Sequence, residues 1–154
     1  MTSPFDLKSA FEAKHAQHVV VVHFPIALTI TAILFEWLAA LKPGPRAEVL
    51  IDAAYWNLTV AAATSMAAVA TGVVAWQWQL EGTPITGTLL LHALFGGAST
   101  SGILLLWWLR FRQRRPSDNS PGLAYVALTV IVLLLVAVTG HLGGFVSGIN
   151  STGN

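Results

Sequence analysis

Histidines are the residues of this 154-residue chain best suited to chemistry. Imidazole nitrogens bind haem iron, copper and zinc, and they exchange protons near neutral pH. The chain has no cysteine, so thiolate metal sites, disulfides and thiol nucleophiles are excluded. Any metal or cofactor must therefore be held by histidine, carboxylate, amide or backbone groups. The five histidines are His15, His18, His23, His92 and His141.

The chain that positions these histidines is far more apolar than a soluble domain. Hydrophobic residues make up 55% of it and charged residues only 10%, against roughly 25% charged residues in an average protein. The formal net charge of +1 argues against a nucleic acid as the main partner. The composition therefore predicts an integral membrane protein whose principal partner is the lipid bilayer.

Four apolar stretches are each long enough to cross a bilayer, which requires about 20 residues for a hydrocarbon core of ~30 Å. Backbone groups in lipid must be hydrogen-bonded within their own segment, so each stretch is predicted to be helical. We expect an all-α fold, an integral membrane four-helix bundle, in one domain over residues 18–154. Its spans are expected at about 19–41, 55–80, 88–109 and 123–145.

The N-terminal segment, residues 1–17, is expected to form a short amphipathic helix on the outer membrane surface. Ser3 before a proline is typical of a helix start. The face of this helix that continues into the first span comprises Phe11, His15, His18 and Val22. Pro25 is expected either to kink the first span or to mark its true start.

Lysine and arginine indicate how the bundle is oriented. Six of the eight lie in the first and third loops, and cytoplasmic loops are enriched in these residues. Both termini are therefore expected on the periplasmic side of a bacterial inner membrane. The first residues carry no basic region, so no cleavable signal peptide is expected.

Three histidines fall in one layer once the spans are folded into a bundle. His23 lies four residues inside the first span, His92 four inside the third, and His141 four before the end of the fourth. At ~1.5 Å per residue, each lies about 6 Å below the outer boundary. His18 lies higher, at the interface. Because ionisable groups inside spans usually face the bundle interior or a functional cavity, this layer predicts a binding site.

Glycines beside two of these histidines favour a flat cofactor, since glycine lets a ligand approach the backbone closely. They are Gly96 and Gly97 after His92, and Gly140, Gly143 and Gly144 around His141. A b-type haem held by two histidines needs imidazoles at matching depth, apolar walls and close backbone approach. We therefore predict a haem b-binding electron-transfer protein, a subunit rather than a stand-alone enzyme. The preferred ligands are His92 and His141, followed by His23 and His18, and the sequence leaves their pairing open.

Two other functions remain open. Copper or zinc could be bound by His23, His92 and His141, since three imidazoles with an open fourth position suit either metal. The other alternative is a non-catalytic structural subunit of a larger membrane complex, in which the histidines are only hydrogen-bonded.

Two short motifs carry a resemblance to a known family. They are His23-Phe24-Pro25 and Gly140-His141-Leu142-Gly143-Gly144, accompanied by Gly72 and His92. With them the chain resembles, from its first span onward, an uncharacterised bacterial family of four-helix predicted membrane proteins. Some relatives are joined to cytochrome c-like modules. The resemblance thus implies redox work, either with a periplasmic redox partner or inside a larger membrane complex.

Glu36 is the remaining charge inside a span. It lies five residues before the inner end of the first span. We expect a carboxylate at that depth to reach the interface and to bond to Asn57 across the first hairpin.

Overall fold

Four long helices make up the part of the chain that the computed structural model describes, residues 14–41, 44–113 and 122–148. They are α1 (Lys14–Leu41), α2 (Pro45–Gln79), α3 (Gly87–Gln113) and α4 (Leu123–Val146). Each is long and apolar enough to cross a membrane, and no strand occurs in these ranges. The prediction of an all-α, four-helix membrane protein is confirmed. Most of the expected N-terminal amphipathic segment, residues 1–13, lies outside the described residues.

The first two helices are longer than their apolar stretches. Helix α1 begins at Lys14 and includes Pro25, so Pro25 does not mark the start of the span, and a kink at Pro25 stays a prediction. Helix α2 begins at Pro45, ten residues before the predicted start of the span. Proline suits a first helical turn, because the N–H that it lacks would have no partner inside the helix there. Helical hydrogen bonds do not require apolar side chains, so apolar boundaries place helix ends too far inward.

The helices pack in an up-down-up-down order. The most extensive contact is between α1 and α2, followed by α3 with α4 and then α2 with α3, and the contact between the neighbouring helices α1 and α4 is smaller than these three. Two hairpins, α1–α2 and α3–α4, are thus joined side by side. The seam between α1 and α4 is the most open line on the bundle.

A narrow core runs along the bundle axis. Its largest fully buried side chains are Ile33, Leu58, Leu106, Val132, Thr29 and Thr129. Alanines at 32, 54 and 61 are also fully buried, and small side chains let membrane helices approach closely. Large apolar side chains such as Leu94 and Leu134 are exposed on the outside. This inside-to-outside pattern is that of a bundle solvated by lipid.

The buried positions of the first hairpin correspond to buried positions of the second at constant shifts in residue number, a correspondence that we call the shared register. A shift of 74 residues carries Pro25, Thr29 and Ala32 of α1 onto Ser99, Ile103 and Leu106 of α3. A shift of 71 residues carries Ala54, Leu58, Ala61 and Ser65 of α2 onto Tyr125, Thr129, Val132 and Val136 of α4. All fourteen positions are buried. The second hairpin therefore repeats the plan of the first.

Candidate cofactor site

Two histidines meet at one end of the bundle. His18 lies in the second turn of α1 and His92 in the second turn of α3, and the shift of 74 residues relates one to the other. Their ring centroids are 6.4 Å apart and their planes are inclined by 85°. Both side chains are half-buried. We refer to His18 and His92 as the histidine pair and to this end of the molecule as the histidine end.

The neighbouring helix α2 holds the ring of His18. Its Nδ1 lies 3.1 Å from Thr71 Oγ1, and the hydroxyl of Thr71 donates to the carbonyls of Ala67 and Ala68, each 3.0 Å away. A hydroxyl has only one proton, so Thr71 Oγ1 accepts the hydrogen bond from His18 Nδ1–H. The lone pair of this imidazole is therefore on Nε2.

Helix α4 holds the ring of His92 in the same way. Its Nδ1 lies 3.2 Å from the carbonyl oxygen of Thr139. A carbonyl only accepts hydrogen bonds, so Nδ1 carries the proton and Nε2 carries the lone pair. The hydroxyl of Thr139 donates to the Leu135 carbonyl at 2.8 Å. It also lies 2.9 Å from Ser99 Oγ, and this contact joins α3 to α4 one to two turns from His92.

Glycine is required where each ring meets the opposite helix. A Cβ added to Gly72 would lie 3.1 Å from Cε1 of His18, and a Cβ added to Gly143 would lie 3.1 Å from Cε1 of His92. The shift of 71 residues relates these two glycines. Each hairpin thus supplies the same set, an imidazole on its first helix and a hydrogen-bond acceptor and a glycine on its second.

The other glycines next to the histidines in sequence, Gly96, Gly97, Gly140 and Gly144, do not touch an imidazole in this way. A Cβ on Gly96 would lie 3.7 Å from Thr139 Cγ2 and one on Gly140 would lie 4.0 Å from Ile26 Cδ1, whereas Gly97 faces open space. The Gly144 carbonyl accepts a hydrogen bond from Ser147 at 3.1 Å. These four glycines are therefore placed for packing or at the surface, and the glycines that touch imidazoles belong to the facing helix.

The other two predicted ligands lie on the surface of the bundle. His23 is exposed, and its Nδ1 lies 2.6 Å from the Val19 carbonyl of its own helix. His141 is exposed and its ring centroid lies 5.0 Å from that of Phe145. Within the described ranges, no group of three or more His, Cys, Asp or Glu residues is arranged to hold a metal ion. The three-histidine copper or zinc centre stays a prediction.

The comparison with known families covers almost the whole bundle. Residues 14–151 match the model of a family described as a predicted membrane protein, DUF2231. The chain belongs to this family. The resemblance stated from the two sequence motifs is thereby confirmed. No curated protein and no solved structure matches the chain, so membership of DUF2231 establishes the kind of protein and leaves its activity to be argued from the site.

The end of the bundle opposite the histidine pair holds a buried ion pair. Glu36 Oε1 accepts hydrogen bonds from Arg110 Nε and from Tyr125 Oη, the latter at 2.9 Å. The side chains of Glu36 and Arg110 are 2% and 10% exposed. Asn57 instead donates to the Ala53 carbonyl in its own helix, so the expected bond between Glu36 and Asn57 was wrong. The carboxylate is thus buried between three helices instead of reaching the interface, with Oε1 hydrogen-bonded and Oε2 buried without a hydrogen-bond partner.

Proposed function

We propose that this DUF2231 protein is a membrane electron-transfer protein that binds haem b between His18 and His92. The observation that carries the proposal is the geometry of the histidine pair: two rings, held at Nδ1 by the facing helices, with centroids 6.4 Å apart. A metal ion ~2 Å from one nitrogen of each imidazole, on the line between the rings, separates the two centroids by about 6 Å.

Tautomers supply a second reason for an ion between the rings. Both imidazoles carry their proton on Nδ1, so neither Nε2 can donate a hydrogen bond to the other. An electrophile between the rings would accept the lone pair of each Nε2. Ligating histidines typically donate their second nitrogen to a carbonyl or a similar acceptor, which fixes tautomer and orientation. Thr71 and Thr139 provide those acceptors here.

The position of the pair suits a flat cofactor. The two ligands come from different hairpins, on α1 and α3, so the cofactor would lie across the interior at the histidine end. Among neighbouring helices, α1 and α4 make the least contact, so a flat ring entering between them would displace little packing. A haem with two histidine ligands exchanges one electron and offers no open coordination position. Our sequence-based preference for His92 with His141 therefore becomes His92 with His18.

The setting of this activity follows from charge. Six of the eight lysines and arginines lie at the end opposite the histidine pair, in the loops and the adjoining helix ends, which favours the cytoplasmic side for that end. The histidine end would then face the periplasm of a bacterial inner membrane, within reach of a soluble redox partner or of a larger membrane complex.

The test is a reduced-minus-oxidised visible spectrum of the protein purified with full haem supply, with haem, copper and zinc content measured on the same sample. We expect one haem per chain and a sharp α band on reduction. His18→Ala and His92→Ala should each abolish that band. His23→Ala and His141→Ala are the matched controls, because they remove imidazoles outside the pair, and they should retain it.

Three outcomes would overturn this proposal. A band retained in both His18→Ala and His92→Ala would exclude the pair as ligands. A colourless sample with stoichiometric copper or zinc would assign the pair to a metal ion. A sample that holds neither haem nor metal would favour the structural subunit of a larger complex.

A further inference from the structure

Two exposed histidines flank the open seam between α1 and α4. Ile26 and Gly140 face each other across this seam, since a Cβ on Gly140 would lie 4.0 Å from Ile26 Cδ1. An α-helix turns by about 100° per residue, and we measure angles around each helix from the core toward the seam and then to the outside. On this scale His23 lies about 60° beyond Ile26, and His141 lies about 100° beyond Gly140. Both imidazoles are exposed as this placement requires. They therefore lie on opposite sides of one groove between α1 and α4, which we call the His23–His141 groove.

The two histidines also share a level. Helix α1 runs away from the histidine end and α4 runs toward it. With ~1.5 Å per residue, His23 lies about 4.5 Å and His141 about 1.5 Å nearer to the histidine end than the contact between Ile26 and Gly140. Their backbones therefore differ in level by about 3 Å.

The correspondence between the two hairpins does not explain why histidines occur at these two positions. The same shifts of 74 and 71 residues relate His23 to Gly97 and His141 to Ala70. A titratable side chain on the lipid-facing surface of a span is costly and usually marks a functional site. The seam between α1 and α4 thus has two imidazoles, and the corresponding positions on α3 and α2, one in each hairpin, have none.

The chemistry of the groove selects its occupant. His23 Nδ1–H donates to the Val19 carbonyl, so its Nε2 is an acceptor that faces the outside. An aromatic ring borders the groove on α4: Phe145 is 46% exposed and packs against the ring of His141. No Lys or Arg occurs in residues 17–41 or 123–146, which disfavours a lipid phosphate. A ligand for this groove reaches it through the bilayer, is flat and aromatic, and donates a hydrogen bond.

We propose that the His23–His141 groove binds the ring of a bilayer-soluble hydroquinone, with one hydroxyl donating to His23 Nε2 and with His141 as the proton acceptor for the other. This inference rests on the proposed haem function. Oxidation of the hydroquinone to the quinone releases two electrons and two protons. The electrons leave one at a time through the cofactor of the histidine pair to a soluble one-electron acceptor such as a c-type haem protein. The protons pass by the two imidazoles to water at the histidine end.

Photolabelling tests the groove independently of the haem. Purified protein is irradiated with an azido-ubiquinone in the presence or absence of excess decylubiquinone, and the labelled peptides are identified by mass spectrometry. We expect competable label on α1 near His23 and on α4 near His141. His23→Gln with His141→Gln should reduce it about tenfold, the size expected when a hydrogen bond in an apolar site is lost. Met66→Gln, exposed on α2, is the matched control and should leave the labelling unchanged.

The outcomes separate the two proposals. His18→Ala and His92→Ala should lose the haem band and keep the label, so a missing haem leaves the groove testable. In haem-loaded protein, the groove variants should keep the wild-type spectrum and reduce the haem with decylubiquinol about tenfold more slowly. Equal labelling of wild type and the double variant would overturn the groove, as would label confined to other helices or a co-purified phospholipid on these peptides. Each single variant replaces the double variant if the latter does not fold.

Discussion

The two ends of the bundle hold their polar groups in opposite ways. At one end, Glu36 receives hydrogen bonds from Arg110 and Tyr125, so a negative and a positive charge are buried together. At the other, the histidine pair brings two chemically identical rings to a centroid distance of 6.4 Å with their planes nearly perpendicular. The shift of 74 residues that relates His18 to His92 also relates Glu36 to Arg110. One register thus places complementary groups at one end and like groups at the other.

Under the proposed function, this difference separates a structural contact from a binding site. Glu36 and Arg110 are opposite charges paired within the protein, and the pair joins the two hairpins. Two imidazoles with protons on Nδ1 cannot hydrogen-bond to each other through Nε2, and in the proposed function both Nε2 atoms would bind the haem iron. The ends are separated by 18 residues of helix, about 27 Å. Changes at one end should therefore leave the other intact.

Breaking the ion pair should have the largest effect on stability. Arg110→Ala leaves the Glu36 carboxylate buried without its cation, which should lower the free energy of unfolding by about 3–5 kcal/mol. Unfolding in mixed micelles of mild detergent and dodecyl sulfate, followed by circular dichroism, measures it. The haem spectrum of the folded fraction should not change.

Two further variants sharpen this prediction. Arg112→Ala removes an exposed arginine that lies 5.8 Å from the Trp108 ring, and it should cost no more than about 1 kcal/mol. Glu36→Gln together with Arg110→Met removes both charges and should recover most of the lost stability. A loss below about 1 kcal/mol in Arg110→Ala would mean that the ion pair does not hold the hairpins together.

Apolar length was sufficient to predict the fold, because a stretch without charges has few alternatives in lipid. The ends of α3 and α4 were placed within a few residues. The start of α2 was missed since its first turns contain Arg46, Glu48 and Asp52, which a hydropathy argument counts as loop. The shared register was also missed. It is a likeness of burial rather than of residue type, and it needs different shifts for the two helices of each hairpin.

The site was harder to predict than the fold. Depth along each helix follows from counting residues, and it singled out the histidines. Direction around each helix depends on packing, and it turns His18 inward and His23 outward. Gly72 was visible in the family motif, but only the contact with His18 explains it. The acceptors Thr71 and Thr139 gave no signal, because a threonine in an apolar helix is ordinary.

Crowding one imidazole should test how closely the histidine end is fitted. Gly143→Ala places a methyl group 3.1 Å from His92 Cε1, so the ring must shift, and haem binding should weaken by about 1–3 kcal/mol. Gly97→Ala is the matched control, because nothing lies within 4 Å of its added Cβ. Titration of haemin into apoprotein measures both. Equal affinities for the two variants would show that the ring position of His92 does not matter for binding.

The smallest effect should come from the acceptors, and it should differ between the hairpins. Thr71→Val removes the hydroxyl that accepts from His18 Nδ1–H, and it should weaken haem binding about tenfold, while Thr71→Ser should not. In Thr139→Val the carbonyl that accepts from His92 remains, because it belongs to the backbone, so affinity should stay near wild type. Haemin titration of all three variants decides the matter. If the threonines orient the imidazoles through Nδ1, only Thr71→Val should lose haem affinity. Equal losses in Thr139→Val and Thr71→Val would mean that the threonines act through packing.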